Sequence, residues 1–332
     1  MAISVRDVAE RAGVSLGTVS NVLNSPEKVA PATTERVLAA IDALGFVRND
    51  AARQLRAGTS RSIGLIVLDV GNPFFTDIAR GAEERAQRAG LSVLLANADQ
   101  DEQREASHLD LFAEQRVRGV LISPVGDVVP RLERLRGRGI PSVLVDRLAP
   151  AGGFSSVSVD DVAGGRLAAQ HLVDGGRRRL LYVGGPPSLR QVRDRVRGAR
   201  EVVDATPGAS LDVLEVDSLT MLDGVTAGRR ILEAGGLPDA VVAANDLVAL
   251  GVLQGIGILG GVRVPDDVAI VGYDDIAFAA AAAVPITSVR QPRERMGAEA
   301  LDLLLDEIDG NEVRRRIVFQ PELVVRASTA SP

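Results

Sequence analysis

From Ile63 onward the chain alternates short, unbroken apolar runs with segments whose apolar residues recur every three or four positions. The runs Ile63–Leu68, Ser92–Ala96, Gly119–Ile122, Ser142–Val145, Val157–Val159, Leu180–Val183, Ala240–Ala243, Val268–Val271 and Ile286–Val289 predict strands. Phe74–Ala89, Gln103–Gln115, Val162–Val173, Gly224–Ala234 and Leu247–Leu259 carry the helical period between them. Strands apolar on both faces and separated by helices predict parallel α/β layers. The series is too long for one sheet of ordinary size, and its repetition after about Val159 predicts two α/β lobes.

Before Ile63 the pattern is purely helical. Ser4-Val5-Arg6-Asp7 reads as a capping box that starts a short helix with Val8, Ala9 and Ala12 inside. Gly13 supplies a turn where positive φ costs little. Ser15 is a good N-cap for a second helix with Val19, Val22 and Leu23 inside. A third helix starts at Pro31, buries Val37, Leu38, Ile41 and Leu44, and stops at Gly45. Two short helices joined by a glycine-containing turn fit the helix-turn-helix, whose second helix lies in the DNA major groove. Any small three-helix bundle shares such caps and stripes, so the residues left outside decide. Leu16, Gly17, Thr18, Ser20 and Asn21 face outward, and no acid between Val14 and Asn24 repels phosphate.

Charge fits this division. The net charge of −6 is unusual for a DNA binder, but residues 1–60 hold seven Lys/Arg against six Asp/Glu, leaving 31 against 38 in the rest. A mildly basic unit is joined to an acidic body, and few phosphate contacts per unit call for a dimer on two half-sites. With 332 residues, two or three domains are expected. There is no cysteine, which excludes disulfides and thiolate metal sites, and the histidines, His108 and His171, are far apart and read as packing or surface residues. No signal segment opens the chain and no uncharged apolar run reaches membrane-spanning length, so a cytoplasmic protein without a membrane partner is expected.

The chemistry points away from catalysis. Gly255-Ile256-Gly257-Ile258-Leu259-Gly260 fits the dinucleotide fingerprint, but it ends a helix instead of following a strand. There is no nucleophile elbow, phosphate loop or metal-ligand spacing, so no catalytic residue, metal or cofactor is expected. Ligands of open α/β sheets sit beyond the carboxyl ends of strands. Asn72-Pro73-Phe74-Phe75, Asp146-Arg147, Asn245-Asp246 and Gly272-Tyr273-Asp274-Asp275 occupy such ends. The guanidinium of Arg147 there suits bidentate recognition of hydroxyls or a carboxylate.

Asp7-Val8-Ala9, Ala12-Gly13-Val14-Ser15, Thr18-Val19-Ser20 and Val22-Leu23-Asn24 resemble the headpiece of LacI-type transcriptional regulators, and Asn49-Asp50-Ala51-Ala52-Arg53-Gln54-Leu55 resembles that family's hinge helix. The resemblance runs through the whole chain. It implies a helix-turn-helix headpiece at 1–47, a hinge at 48–61, and a two-lobed effector-binding and dimerisation body at 62–332. That body is similar to periplasmic sugar-binding proteins, with lobe one at about 62–159 and 291–319 and lobe two at about 160–290 and 320–328. For DNA it implies base reading by Leu16, Gly17 and Asn21 and phosphate contacts by Ser15, Thr18 and Ser20. Asn49, Ala52, Arg53 and Leu55 would serve at the minor groove, where a leucine wedge kinks DNA. Arg48 replaces the family's common proline. For the effector it implies Asn72, Phe74, Phe75, Ser123, Asp146, Arg147, Arg195, Leu219, Asn245, Asp274 and Gln291. Leu219 stands near a common stacking aromatic, and Ser123 replaces an amide of ribose-type members; both departures weigh against ribose.

The expected function is a homodimeric regulator, most simply a repressor of carbohydrate-utilisation genes, released from or recruited to a palindromic operator by a sugar-like effector between the lobes. A purine-type corepressor protein differs only in the ligand. A transport solute-binding protein has no use for the headpiece, and a sugar-modifying or nicotinamide enzyme lacks its catalytic groups. No leucine heptad follows the last strand, which favours a dimer over a tetramer.

Overall fold

The computed structural model describes residues 3–46, 60–150, 153–311 and 313–330. The chain forms two compact units, 1–59 and 60–332.

In the first unit the helices are α1 (Val5–Ala12), α2 (Leu16–Asn24) and α3 (Pro31–Leu44). The capping box is formed: the Ser4 amide donates to Asp7 Oδ2 at 2.7 Å and the Asp7 amide to Ser4 Oγ at 3.4 Å. Gly13 ends α1 at φ 64°, the left-handed conformation that glycine adopts most cheaply. Ser15 caps α2 by accepting the Thr18 amide at 3.1 Å. Val8, Val19 and Val37 are fully buried, with Ala9, Ala12, Val22, Ala40 and Phe46 completing the small core. Leu38, expected inside, is 51% exposed, and Ala40 takes the inner place. From Val37 the positions three and four along return to the same face, whereas the next residue is rotated by about 100°.

The second unit contains strands β1 (Ser62–Val67), β2 (Ser92–Asn97), β3 (Gly119–Ile122), β4 (Ser142–Val145), β5 (Ser155–Val159), β6 (Arg179–Val183), β7 (Ser210–Leu214), β8 (Ala240–Ala243), β9 (Ala269–Asp274), β10 (Thr287–Arg290), β11 (Arg316–Phe319) and β12 (Glu322–Val324). Its helices are α4 (Pro73–Arg88), α5 (Glu102–Glu114), α6 (Val129–Gly137), α7 (Asp161–Asp174), α8 (Arg190–Asp204), α9 (Met221–Glu233), α10 (Asp246–Val252), α11 (Ala277–Ala280) and α12 (Arg293–Ile308). Among the described residues the strands make two six-stranded sheets, ordered β11-β5-β4-β3-β1-β2 and β12-β10-β9-β8-β6-β7. Every pairing is parallel except β10 with β12. The chain passes between the sheets after β5, after β10 and after β11.

The central strands are buried along their length, as in β3, β4, β5 and β8, and these are the ones the apolar runs predict. The outer strands β7, β11 and β12 lie outside that prediction because Asp212 breaks the apolar run of β7 and those of β11 and β12 are short. The helix from Asp246 continues as a π-helical turn over Leu253–Ile258, so the glycine-rich run at 255–260 lies at a helix end. Close helix packing sets the geometry of the second lobe: a Cβ on Gly165 of α7 would lie 2.0 Å from the Arg195 carbonyl of α8. Only glycine permits that approach, which brings Arg195 against the start of α7.

Candidate functional site

On the first unit, α2 presents Leu16 at 47% exposure beside the exposed Gly17 and Asn21. The Ser15 and Thr18 hydroxyls share a 2.9 Å hydrogen bond, and the Asn24 amide donates to the Ser20 carbonyl at 2.8 Å and hydroxyl at 3.2 Å. The hydroxyls thus lie within short-range networks, while Leu16 and Asn21 extend outward. Asn49, Ala52, Arg53 and Leu55 lie outside the described residues.

In the second unit the carboxyl ends of parallel strands converge on one cleft. Asn72 follows β1, Asp146 follows β4, Asn245 follows β8 and Asp274 ends β9. Asn72 and Asn245 are N-caps: Asn72 Oδ1 accepts the Phe74 amide at 3.0 Å, and Asn245 Oδ1 accepts the Val248 amide at 2.8 Å. Capping fixes both side chains and leaves their amide nitrogens to act elsewhere. Asn72 Nδ2 reaches across to Asp274 Oδ2 at 3.2 Å, and Asn245 Nδ2 donates to the Leu219 carbonyl at 3.1 Å. A second bridge crosses in the other direction, from Gln191 Nε2 of α8 to both the Oδ2 and the carbonyl of Asp146, each at 2.9 Å. Between these bridges lies a cavity of about 30 Å³ bordered by Phe74, Phe75, Leu189, Val192 and Leu219 as well as the polar groups.

Arg195 anchors the cavity floor. It is buried, donates to Asp161 Oδ1 at 2.8 Å and to the Ala244 carbonyl at 2.6 Å, and its guanidinium lies 3.6 Å from the Tyr273 ring centroid. Burial opposes its charge, but the surrounding anions, Asp161 foremost, hold its pKa well above the usual value. Burial also raises the Asp146 carboxyl to about 8, helped by the nearby Asp161 charge. Asp274 is pushed by burial to about 6, with Arg195, Asn72 and Gln291 restraining the rise. One fixed cation faces several carboxyls, and that balance suits a neutral hydroxyl-bearing ligand better than an anion.

The cavity brings together Asn72, Phe74, Phe75, Asp146, Arg195, Leu219, Asn245 and Asp274. Three other expected residues lie apart from its lining. Gln291 acts behind the cavity, donating to Asp274 Oδ1 at 2.8 Å. Ser123 is buried, and its hydroxyl has no protein partner among the described residues. Arg147 lines a different chamber of about 230 Å³, with a 3.4 Å hydrogen bond to the Pro124 carbonyl. Asp146 is left-handed at φ 56° and lines both chambers, whereas Arg147 beside it lines only the second. Sequence reading missed Gln191, Leu189, Val192 and Leu68. Gln191 was accessible: it lies four residues before Arg195 on one helix, hence on the same face. Asp161 was missed because its role depends on α8 packing on α7.

Residues 4–49 match the model of bacterial regulatory proteins of the lacI family, and residues 169–329 match the periplasmic binding protein-like domain. The ribose operon repressor of Bacillus subtilis is 34% identical over 326 residues, 98% of each chain. The HTH-type transcriptional repressor PurR of Photobacterium profundum is 32% identical over 335 residues, again 98% of each. The crystal structure of the Lac repressor dimer bound to operator and the anti-inducer ONPF superposes with a TM-score of 0.84, 27% identity and complete coverage of both chains. Similarity sustained across headpiece and body makes the chain a member of the lacI family, a DNA-binding transcriptional regulator with an effector-binding domain.

Proposed function

We propose that this protein is a homodimeric repressor whose affinity for a palindromic operator is set by a sugar-like effector held between the lobes. The observation that carries this reading is the small cavity where Asn72, Asp146, Gln191, Arg195, Asn245 and Asp274 converge from both lobes. Groups that both donate and accept suit the hydroxyls of a polyol. A purine is held best between two flat faces, but beyond Phe74 and Phe75 the apolar lining, Leu68, Leu189, Val192 and Leu219, is aliphatic.

At about 30 Å³ the cavity is an order of magnitude below the roughly 300–1,000 Å³ of ligand pockets, so an effector enters by parting the Asn72–Asp274 and Gln191–Asp146 bridges. Effector binding therefore trades lobe-to-lobe hydrogen bonds for ligand contacts. Switching the regulator almost completely takes roughly 5 kcal/mol of differential binding shared over two sites. Division of labour follows as headpiece 1–47, hinge 48–61 and body 62–332, with the protein acting in the cytoplasm and on the nucleoid when operator-bound. Dimerisation is supported by exposed apolar side chains on the body: Leu94 and Leu95 on edge strand β2, and Leu222, Ile258 and Phe278 on the second lobe.

The test selects an operator from random duplexes and measures its affinity by fluorescence anisotropy with sugars, polyols and nucleobases. A sugar that shifts operator affinity supports the reading; a fall marks an inducer and a rise a corepressor. A nucleobase acting alone in that panel overturns the sugar assignment.

A further inference from the structure

The Asp146–Gln191 pair belongs to two cavities at once. On one side is the inner cavity of about 30 Å³; on the other is the chamber of about 230 Å³ that also takes in Arg147, Ser158 and Val162. The wall between them is the Gln191 side chain, held to Asp146 by two 2.9 Å hydrogen bonds. A glutamine in the first turn of a helix can rotate away once other groups take over those bonds.

The polar atoms around this wall are incompletely satisfied. Asp146 Oδ1, Gln191 Oε1 and Ser158 Oγ are buried and have no protein partner among the described residues. Such groups are costly unless something bonds to them. Gln191 Oε1 accepts only, so it calls for a donor, and Ser158 can serve as either. A phosphate ester brings acceptors and little else at neutral pH, whereas sugar hydroxyls bring both. The chamber's charges are largely paired: Asp160 caps the Ala163 amide at 2.9 Å, Asp161 pairs with Arg195, and Asp194 lies 3.5 Å from Arg190 and 3.2 Å from Arg197, leaving Arg147 as the lining arginine without an acid partner among the described residues.

We propose that the effector is a neutral glycoside of two units, one ring in the inner cavity and the second in the Arg147–Ser158 chamber, with Gln191 swinging aside to join the two. Joined, the cavities approach the lower end of the roughly 300–1,000 Å³ of ligand sites, which neither does alone. The inference rests on the sugar reading above and assigns the size and charge of that sugar. It also gives Arg147 a role as a hydroxyl donor to the second unit, outside the inner site.

The test is calorimetric titration of the full-length protein with maltose, cellobiose, lactose and sucrose, with their constituent monosaccharides, and with glucose 6-phosphate. At least one disaccharide is expected to bind tenfold or more tightly than either of its own units. Val162→Phe, a half-buried position on the chamber side, fills the second compartment and brings that ratio toward one; Ser158→Ala lowers it several-fold. Because the ratio is read within one folded protein, loss of stability does not imitate the effect. A monosaccharide binding as tightly as every disaccharide, a ratio unmoved by Val162→Phe, or glucose 6-phosphate outbinding the neutral sugars overturns the two-unit assignment while leaving a sugar-responsive regulator. Silence toward every saccharide removes the sugar reading itself, and this inference with it.

Discussion

Asp146→Asn separates the charge of the cleft from its shape. The folded protein holds this carboxyl protonated up to about pH 8, because burial and the Asp161 charge disfavour the anion, whereas the unfolded chain ionises near the ordinary value of 3.8. Between those values unfolding releases a proton, so stability falls as pH rises, by about 1.4 kcal/mol per pH unit. A raised carboxyl therefore contributes its full stability at low pH and loses it as pH climbs through 8. From pH 5.5 to 8 the loss is about 3 kcal/mol. Asparagine keeps an acceptor for the Gln191 amide and tolerates the left-handed φ of 56°, but it carries no charge at any pH. The variant should escape this loss, and its Tm advantage over the parent should widen by roughly 5 °C across the window for a unit of this size. Calorimetric melts at half-unit pH steps measure the gap. Parallel Tm curves for the two proteins would show Asp146 to be ionised throughout and would falsify the account of the cleft as a low-dielectric site.

Three further outcomes follow from the structure, and a fourth, at Leu55, from the family resemblance. Arg195→Leu leaves buried Asp161 without its cation and should cost about 3–5 kcal/mol in urea unfolding, most of it recovered by adding Asp161→Asn; a single-mutant loss below about 1 kcal/mol contradicts the pairing. Gly165→Ala drives a Cβ against the Arg195 carbonyl and should destabilise the body by about 1–3 kcal/mol while weakening effector binding, and a variant as stable as the parent rules out the tight contact. Val19→Ala removes fully buried volume from the small headpiece core and should cost that unit about 2 kcal/mol, abolishing operator binding at elevated temperature with the body's Tm unchanged; loss of effector affinity as well would refute the independence of the two units. Leu55→Ala should weaken operator binding and spare effector affinity, and unchanged operator affinity removes the wedge from the account.

Local chemistry wrote the headpiece into the sequence. Ser4 with Asp7, Gly13 and Ser15 act within a few residues of themselves, and all three form as their spacing predicts. The central strands were legible for a related reason: burial on both faces demands an unbroken apolar run, and β1, β3, β4 and β8 have one. The polar strand-end residues could be found because parallel strands gather their carboxyl ends on one side. Tertiary structure alone decided what those residues do. Asn72 meets Asp274 across 202 positions of chain, and Gln191 meets Asp146 across 45, separations at which no periodicity survives. Arg147 follows Asp146 directly yet stays out of the inner cavity, whereas Asp146 borders both chambers. The edge strands β7, β11 and β12 were likewise settled by neighbours distant in sequence, whereas Leu38 faces outward by the helical period itself. A sequence specifies which groups are apolar, capped or charged; which of them share a cavity depends on how helices such as α7 and α8 close over one another, down to the missing side chain of Gly165.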